Sequence, residues 1–334
     1  RRPMSGPALS NIVLDAPPER SADAKLILAY SGGLDSTVLL HLLARSGQPR
    51  MQAVHVHHGL QEAAEHWAEH CAAVCEALDV PMRLCRVQVQ GGGQGIEAAA
   101  REARYAALRA QMGAGDVLVT AHHQSDQAET VLLRLLRGTG PTGLAAMRPL
   151  TAFAPGMLWR PLLDVPRAEL RAYAEAQGLR WIGDPQNMQT EFSRSFLRGQ
   201  ILPRLETHWP AASRTLARAA ELGAETAELL RELAESDLRA LDSAGDSLPI
   251  PALRALSAAR RHNLLRHWVE SCALPVPFRD TLSRLETEML GAAVAERHAL
   301  YDVLHTGFFQ RPTHTQVAHI ASRYFRNPVE GGQD

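Results

Sequence analysis

The sequence predicts an α/β fold in which helices cover both faces of a mostly parallel sheet. Apolar runs of strand length alternate with amphipathic runs of helix length from residue 25 to about 137. Several of these apolar runs end in glycine or histidine turns. After Gly138 the alternation weakens, and a long amphipathic stretch at about 211–241 precedes shorter helical patterns. We therefore expect a doubly wound domain at 25–215 and a small helical domain at 216–290.

Four strands and four helices alternate in the predicted doubly wound domain. The strands are Leu26–Tyr30, Met51–Val56, Arg83–Val89 and Val117–Ala121, and the helices are Ser36–Ala44, Glu62–Leu78, Glu97–Met112 and Asp126–Arg137. Further helices are predicted at Pro166–Gln177, Ala211–Leu241, Ala252–Cys272 and Arg279–Leu290. The carboxyl ends of parallel strands share one edge of a sheet, where ligands bind. The glycine turn after the first strand, His57–Gly59 and His122–His123 should therefore meet at that edge.

The two ends of the chain are expected to lie outside these domains. Residues 1–24 are polar and contain Pro7, Pro17 and Pro18, which predicts a disordered leader and not a signal peptide. Residues 291–334 show scattered histidines without periodicity, so they form a tail of uncertain structure.

Composition limits the classes of protein that the chain can belong to. The longest apolar runs are far shorter than the 18 or so residues that span a membrane, so no membrane partner is expected. The four cysteines have neither disulfide nor metal spacing; Cys71 and Cys75, four apart on one helix face, favour core packing. We expect a cytoplasmic protein, because free thiols suit a reducing compartment.

Positive charge is concentrated in one part of a chain whose net charge is −1. Residues 148–218 contain ten arginines and six acidic residues. Nucleic-acid binding needs a local basic patch when the total charge is near zero. This segment could supply such a patch, or it could be a helix hairpin with solvated arginines.

The turn Ser31–Ser36 is predicted to bind phosphate. Gly32 and Gly33 allow backbone N–H groups to converge, and the following helix directs its positive N-terminus to the same place. Ser31 and Ser36 add hydroxyl donors, and Ser36 could also cap the helix. The turn lacks the Gly-Lys-Ser/Thr ending of a Walker-type loop, and the chain's single lysine, Lys25, precedes the strand. Asp35 is a candidate Mg²⁺ ligand beside the phosphates.

A second cluster of polar residues joins the fourth strand to its helix. It contains His122, His123, Asp126, Glu129 and Thr130. The last three share one helix face, with the predicted core face opposite at Ala128, Val131, Leu132, Leu135 and Leu136. Three interpretations remain open: acidic residues that complement the helix dipole, a metal cluster, or a substrate site whose carboxylates hold an ammonium group.

Several motifs together resemble the tRNA(Ile)-lysidine synthetase family, within the PP-loop ATP pyrophosphatase superfamily. The loop has the superfamily's Ser-Gly-Gly-x-Asp-Ser signature, and the further motifs are His55–Leu60, Glu97–Tyr105, His122–Thr130, Leu132–Gly140, Arg160–Leu163, Asp184–Asn187, Arg194–Arg198 and Leu202–Pro203. The resemblance covers about residues 25–290. It implies a Rossmann-like sheet of the PP-loop, or adenine nucleotide α-hydrolase, type.

The resemblance also implies a reaction, its cofactors and its partners. ATP, with Mg²⁺, would adenylate the C2 oxygen of the wobble cytidine of a tRNA(Ile) with a CAU anticodon. The ε-amine of free L-lysine would then attack C2 and release AMP. A homodimer is a candidate assembly.

Roles carried over by motif position fall into three groups. The nucleotide would be held by Ala29, Ser31, Gly32, Gly33, Leu34, Asp35, Ser36, Val54 and Val56, with Asp35 on Mg²⁺ and the two valines beside the adenine. The catalytic group would be Asp35, Asp126, Glu129 and His122, with Asp126 and Glu129 holding the incoming lysine. Arg101 and Arg104 could reach phosphates together, and Arg194 and Arg198 would contact tRNA or the activated base.

The sequence departs from the family pattern at two positions, and two competing functions are considered. Ser125 stands where the family usually has aspartate, and Ser195 where it usually has asparagine. A PP-loop tRNA thiolase would need paired catalytic cysteines, and the chain has no Cys-x-x-Cys. A non-catalytic tRNA-binding relic would bind tRNA without turning over ATP, although the intact Ser31–Ser36 loop argues against it.

Overall fold

A six-stranded sheet lies at the centre of the first part of the chain. The structure is a computed structural model that describes residues 12–57, 59, 64–88, 96–183, 193–241, 247–271 and 308–310. Its strands are β1 (Leu26–Ala29), β2 (Met51–His57), β3 (Met82–Arg86), β4 (Val117–Val119), β5 (Leu150–Phe153) and β6 (Gly156–Trp159). Their order is β3-β2-β1-β4-β6-β5, and only the β5–β6 pair is antiparallel. The predicted mostly parallel α/β sheet is therefore confirmed.

Helices pack on both faces of this sheet. The helices from β1 to the end of α9 are, in chain order, α1 (Leu34–Arg45), α2 (Ala64–Ala77), α3 (Ile96–Arg109), α4 (Gln124–Leu136), α5 (Pro141–Leu144), α6 (Arg167–Ala176), α7 (Ser193–Phe196), a π-helical turn (Leu197–Ile201), α8 (Leu202–His208) and α9 (Ala212–Ala240). One core cluster joins α1, α2 and α6 to one face of the sheet. A second cluster joins α3 to the other face. The fold is thus doubly wound, as the alternating sequence pattern predicts.

The central strand β1 is apolar at successive positions, without the alternation of a half-buried strand. Leu26, Ile27 and Leu28 are each 0% exposed, because β1 pairs with both β2 and β4 and is covered on both faces. Leu26 and Leu28 belong to the core beside α1, whereas Ile27 belongs to the core beside α3. A strand buried on both faces is apolar at every position.

The β5–β6 hairpin was not predicted from the sequence. Its strands have only four residues each, which is too short for a readable alternation. Gly156 is required at the start of β6, because a Cβ there would lie 1.9 Å from the carbonyl oxygen of Asp116. That same oxygen accepts a hydrogen bond from Met157 N–H at 3.0 Å. Close backbone approach therefore fixes β6 against the residue preceding β4.

The chain divides into two compact units, Arg1–Ala224 and Glu225–Asp334, and the division falls within α9. The sequence analysis placed the domain boundary nearby, at 215. Residues 12–24, expected to be leader, contribute Ile12 and Leu14 to the packing of the first core.

The second unit has a small core of its own. Helices α10 (Ile250–Ala255) and α11 (Ala258–Ser271) bury Leu253, Leu264 and Trp268 with Leu238 of α9. The Arg260 guanidinium donates to the buried Asp237 carboxylate, with Nε 3.1 Å from Oδ2. A short antiparallel pair, β7 (Ser247–Pro249) with β8 (Phe308–Gln310), was not predicted. The predicted helix at 279–290 lies outside the described residues.

Among the residues that the structure describes, no helix has both the length and the apolarity needed to cross a bilayer.

The predicted burial of Cys71 and Cys75 has a testable chemical consequence. The two side chains are 0% and 1% exposed, and burial raises the pKa of the Cys71 thiol to about 12 and that of Cys75 to about 11. Because the thiolate is the nucleophile, we expect iodoacetamide to modify Cys85, which is partly exposed, at least about 100-fold faster than either. Peptide mapping by mass spectrometry at pH 8 measures the three rates, with urea-unfolded protein as control. Equal rates in the native protein would contradict the packing.

Candidate active site

The candidate site lies between β1 and β4, where the strand order of the sheet reverses direction. From β1 the chain moves through β2 to β3 on one side, while β4 lies on the other side of β1. Helices α1 and α2 belong to one face and α3 to the other. Such a switch point opens a crevice at the carboxyl ends of the two central strands. The Ser31–Gly33 loop follows β1, and His122–His123 follow β4, so both predicted clusters meet here.

The loop after β1 is shaped by glycine and covered by a distant segment. Gly32 has φ +80°, and a Cβ at this position would lie 2.7 Å from both Cys71 Sγ and Ile182 Cδ1. Ile182 N–H donates to the Gly32 carbonyl at 2.9 Å. The positive φ and the lack of space both require glycine here. The segment at Ile182 thereby ties the loop in place.

Helix α1 begins two residues earlier than the sequence predicts. Gly33 is its N-cap residue, and Leu34, Asp35 and Ser36 form its first turn. The Ser36 hydroxyl donates to the Gly33 carbonyl at 3.1 Å and lies 3.0 Å from Ser31 Oγ. The prediction that Ser36 caps the helix is therefore wrong. The first-turn N–H groups of α1 have no acceptor within the helix, and such groups favour an anion at this position.

Asp35 has the surroundings of a cation ligand. Its Oδ1 atom is buried without a hydrogen-bond partner, and Arg167 Nε lies 3.6 Å from it. That separation is too long for a hydrogen bond. An orphaned carboxylate oxygen beside a phosphate loop is a donor that Mg²⁺ accepts. Asp35 therefore fits the predicted magnesium ligand.

His123 links the phosphate loop to the acidic cluster. Its Nε2 lies 3.6 Å from Asp35 Oδ2 and 3.5 Å from Asp126 Oδ2, and the residue is 2% exposed. Burial opposes protonation of the ring, but the Asp35 and Asp126 carboxylates outweigh it and raise the pKa of His123. The sequence analysis placed His123 in the cluster after the fourth strand, with a metal site as one open interpretation, but did not predict that it links the two clusters.

The carboxylates of Asp126 and Glu129 are buried and bound by one arginine. Glu129 is 0% exposed and Asp126 is 9% exposed. Arg198 Nε donates to Glu129 Oε1 at 2.6 Å, and its Nη2 donates to Glu129 Oε2 at 3.0 Å and to Asp126 Oδ1 at 2.8 Å. Arg194 Nη2 donates to Thr130 Oγ1 at 3.0 Å. The sequence predicted contacts of Arg194 and Arg198 with tRNA or base; in the structure both hold the polar face of α4.

The two carboxylates differ in their pKa shifts. Burial raises the pKa of Asp126, but the charges of His123, His122 and Arg198 outweigh it and lower the pKa overall. For Glu129 burial is the larger effect, and its pKa is raised despite the Arg198 hydrogen bonds. Glu129 is therefore the more basic member of the pair.

These contacts bear on the three interpretations of the α4 cluster. A carboxylate that complements the helix dipole alone would be solvated, whereas Glu129 is fully buried and doubly bound. Within the described ranges, no group of three or more His, Cys, Asp or Glu residues is arranged to hold a metal ion. A buried, paired acidic site is the interpretation that agrees with this geometry.

The predicted core face of α4 is wrong in its last turn. Ala128 and Val131 are buried, but Leu135 is 47% exposed and Leu136 is 76% exposed. The partners of Val131 are Ala146 and Ala220, and this small cluster does not extend to the C-terminal end of the helix.

A cavity of about 570 Å³ opens beside the phosphate loop. The predicted site residues that line it are Ala29, Ser31, Gly33, Leu34, Asp35, Ser36, Val54, Val56, Arg104 and His122. Ala29, Val54 and Val56 pack with Leu108 in the core beside α3, so this end of the cavity has an apolar wall. Trp67, Arg167, Arg171 and Trp181 also line it, and sequence reasoning gave them no role.

His122 lies in basic surroundings. Its Nδ1 is 2.8 Å from Thr120 Oγ1. Burial lowers its pKa, and the positive charges of Arg160, Arg101 and Arg194 lower it further against the opposing effect of Asp126. Arg101 and Arg104 both lie against the Tyr105 ring, 4.9 and 5.6 Å from its centroid, and of the two Arg104 lines the cavity.

The adjacent histidines are expected to titrate in opposite directions. His122 should stay neutral well below the ordinary histidine pKa of about 6.5, whereas His123 should stay protonated above it. Because folding keeps His122 neutral, it should lower the free energy of unfolding as the pH falls below about 6.5. Because folding favours protonated His123, its stabilisation should be lost as the pH rises through its raised pKa. NMR titration of 15N-histidine-labelled protein measures both, with His122→Gln and His123→Gln variants giving the assignments. Two unshifted titrations would contradict the described surroundings.

Two family models match separate parts of the chain. A PP-loop domain model matches residues 9–205, and a TilS substrate binding domain model matches residues 248–300. A solved structure, the U34-tRNA thiolase NcsA from Methanococcus maripaludis with its 4Fe–4S cluster, aligns with a TM-score of 0.48 and 19% identity. That alignment covers 60% of this chain and 71% of the other.

Curated relatives are identical to this chain at about half of the aligned positions. The tRNA(Ile)-lysidine synthase of Xanthomonas axonopodis pv. citri is 49% identical over 83% of this chain and 63% of its own length. That of Pseudomonas aeruginosa is 53% identical over 72% of this chain and 58% of its own length. The chain thus spans about three-fifths of the curated relatives it matches. The resemblance inferred from the motifs is confirmed, and with the PP-loop model covering more than half of its residues, the chain belongs to the PP-loop family.

Proposed function

We propose that this protein ligates free lysine to C2 of the wobble cytidine, position 34, of a tRNA(Ile) with a CAU anticodon. The products would be lysidine, AMP and pyrophosphate. The observation that carries the proposal is the joining of the phosphate loop to the buried acid pair through His123, with distances of 3.6 and 3.5 Å. The similarity to tRNA(Ile)-lysidine synthases supports the choice of substrates.

The first half-reaction needs a site for ATP. The loop N–H groups and the hydroxyls of Ser31 and Ser36 bind the phosphates, and the apolar wall of Ala29, Val54 and Val56 accepts the adenine. Asp35 would hold Mg²⁺, which would neutralise phosphate charge. The cytidine O2 attacks the α-phosphorus, the bond to the oxygen of the β-phosphate breaks, and pyrophosphate leaves with the electron pair.

The second half-reaction needs a site for an ammonium group. The lysine ε-ammonium binds Asp126 and Glu129 in exchange for part of their contacts with Arg198. Glu129, whose pKa burial raises, takes a proton and leaves a nucleophilic amine. The amine attacks C2, and AMP leaves with the oxygen that joined it to the ring.

The basic surroundings of His122 suit the tRNA. Arg101, Arg104 and Arg160 lie at the phosphate-loop edge of the sheet, and residues 148–218 carry the excess of arginine over acidic residues. Phosphate contacts of this kind position a nucleic acid without reading its sequence. Because tRNA and ATP meet in the cytoplasm, we propose a cytoplasmic enzyme.

Two competing functions are disfavoured by specific observations. A thiolase needs paired reactive cysteines, whereas Cys71 and Cys75, which lie four positions apart, are both buried with raised pKa values. A tRNA-binding relic would have no need of the phosphate loop, yet Gly32, Asp35 and the first turn of α1 keep the form of an anion site.

Lysine transfer is the direct test. We expect the protein with ATP, Mg²⁺ and labelled lysine to label an isoleucine tRNA transcript with a CAU anticodon. A transcript with U at the wobble position should stay unlabelled. Retained label is counted after acid precipitation. AMP release without label on either transcript would contradict lysine as the nucleophile, and tRNA binding without AMP release would favour the relic.

Removal of the Asp35 carboxylate should stop the first half-reaction. Asp35→Asn keeps the size of the side chain, and we expect AMP formation to fall at least about 100-fold, or about 2.7 kcal/mol of transition-state stabilisation. Asp23→Asn, whose carboxylate is 95% exposed, is the matched control. AMP formation at the wild-type rate in Asp35→Asn would show that Asp35 is not the required magnesium ligand.

Glu129→Gln should separate lysine binding from ATP binding. Loss of one charged hydrogen-bonding partner of the ammonium predicts a lysine KM raised about 10- to 100-fold. The ATP KM should change less than about twofold, because the substitution leaves Asp126, His123 and the phosphate loop unchanged. Glu169→Gln, an exposed change on α6, controls for altered net charge. A change confined to the ATP KM would mean that the lysine binds elsewhere.

A further inference from the structure

Helix α6 places two arginines beside the phosphate loop. Arg167 is its first residue and Arg171 lies one turn later, so the two side chains share a face of the helix. Both line the cavity that Ser31, Gly33 and Asp35 also line. The motif resemblance assigns neither of them a role.

The position of α6 relative to the loop is fixed by packing. Leu170 and Ala174 are 0% exposed in the core cluster that includes α1. The Tyr173 hydroxyl lies 2.9 Å from His41 Nδ1 on α1. Because α1 begins in the phosphate loop, this packing also positions the two guanidinium groups with respect to the loop.

The loop itself supplies no cationic side chain. The single lysine of the chain, Lys25, precedes β1, and the Ser31–Ser36 loop contributes neutral donors and the negative Asp35. A positively charged side chain that contacts a triphosphate here must therefore come from outside the loop. Arg167 and Arg171 are the cavity-lining cations on the side of the sheet where α1 and α6 pack, whereas Arg104 is on α3.

The contacts that these arginines make within the protein are weak. Arg167 Nε is 3.6 Å from Asp35 Oδ1, and Arg171 Nη1 is 3.8 Å from Glu175 Oε1. The two side chains are 44% and 56% exposed, and exposed ion pairs contribute about 1 kcal/mol or less to folding. Structural ion pairing does not account for two arginines directed into one cavity.

We propose that Arg167 and Arg171 form a pyrophosphate site that binds the β- and γ-phosphates of ATP and then the leaving pyrophosphate. The inference rests on the proposed function, because it requires cleavage between the α- and β-phosphates. The apolar wall of the cavity packs on the α3 face of the sheet and the arginines lie on the α6 face. A triphosphate that crosses the loop from one face to the other brings its terminal phosphates to α6.

Such a site would act on the leaving group. When the bond between the α-phosphorus and the bridging oxygen breaks, the electron pair stays on that oxygen of the β-phosphate. Arginine donates two parallel hydrogen bonds to phosphate oxygens and keeps its charge at all working pH values. Donors aimed at the place where charge develops stabilise the transition state.

The test compares inorganic pyrophosphate with AMP as probes. Isothermal titration calorimetry with Mg²⁺ measures both affinities in the full chain and in the Arg167→Gln, Arg171→Gln and double variants. We expect the pyrophosphate Kd to rise about tenfold in each single variant and about 100-fold in the double variant. The AMP Kd should change less than about twofold. Arg83→Gln, an exposed arginine on β3, is the matched control, and Arg171→Lys tests whether charge without the bidentate geometry suffices.

Several results would overturn the inference. A wild-type protein that binds no pyrophosphate, an unchanged pyrophosphate Kd in the double variant, or an equal loss of AMP binding would each do so. Thermal melts identify variants that lose affinity because they unfold. If the glutamine variants unfold, the pyrophosphate Kd of Arg171→Lys tests the proposal instead. Lysine transfer is measured separately. If the wild-type protein transfers lysine and the variants keep the wild-type pyrophosphate Kd, only the pyrophosphate site is refuted. If the wild-type protein binds pyrophosphate but transfers no lysine, only the proposed function is refuted.

Discussion

The parallel pairing of β1 with β4 is the constraint on which the rest of the site depends. Leu26–Leu28 pair with Val117–Val119 in register, so the two chains leave the sheet side by side. One continues into the phosphate loop and α1, the other into His123 and α4. Both helices direct their N-termini to the crevice, which brings two positive helix ends to one place. The anionic side chains there, Asp35 and Asp126, lie in the first turns of these helices and are stabilised by them.

Charges of alternating sign cross this crevice. Five groups take part, with separations of 3.6, 3.6, 3.5 and 2.8 Å between successive members: Arg167, Asp35, His123, Asp126 and Arg198. Each carboxylate therefore has a positive group on either side, which lets it remain ionised when buried. An arrangement of this kind leaves neither buried carboxylate without a positive partner.

Much of the site was readable from the sequence because it lies in local patterns. The loop Ser31–Ser36 and the cluster His122–Thr130 each combine a strand end with a helix start, and neighbours in sequence settle that geometry. The missed features depend on distant partners. Arg198 meets Glu129 across 69 positions, and Ile182 meets the Gly32 carbonyl from a loop after α6. The exposure of Leu136 was missed for the same reason, because periodicity shows which face is apolar and not how far its partner extends.

The π-helical turn has a consequence for how this segment can vary. Leu197 and Leu202 are both buried at 4% exposure although they lie five positions apart, a spacing that one π turn brings onto one face. Arg194 and Arg198, four apart, face α4 from the same segment. Loss of one residue at Gly199 or Gln200 would leave the two leucines four positions apart, a spacing that an ordinary α turn also brings onto one face. Because Arg194 and Arg198 both precede these positions, the turn can lose one residue and keep both the leucine pair and the arginine pair on their faces.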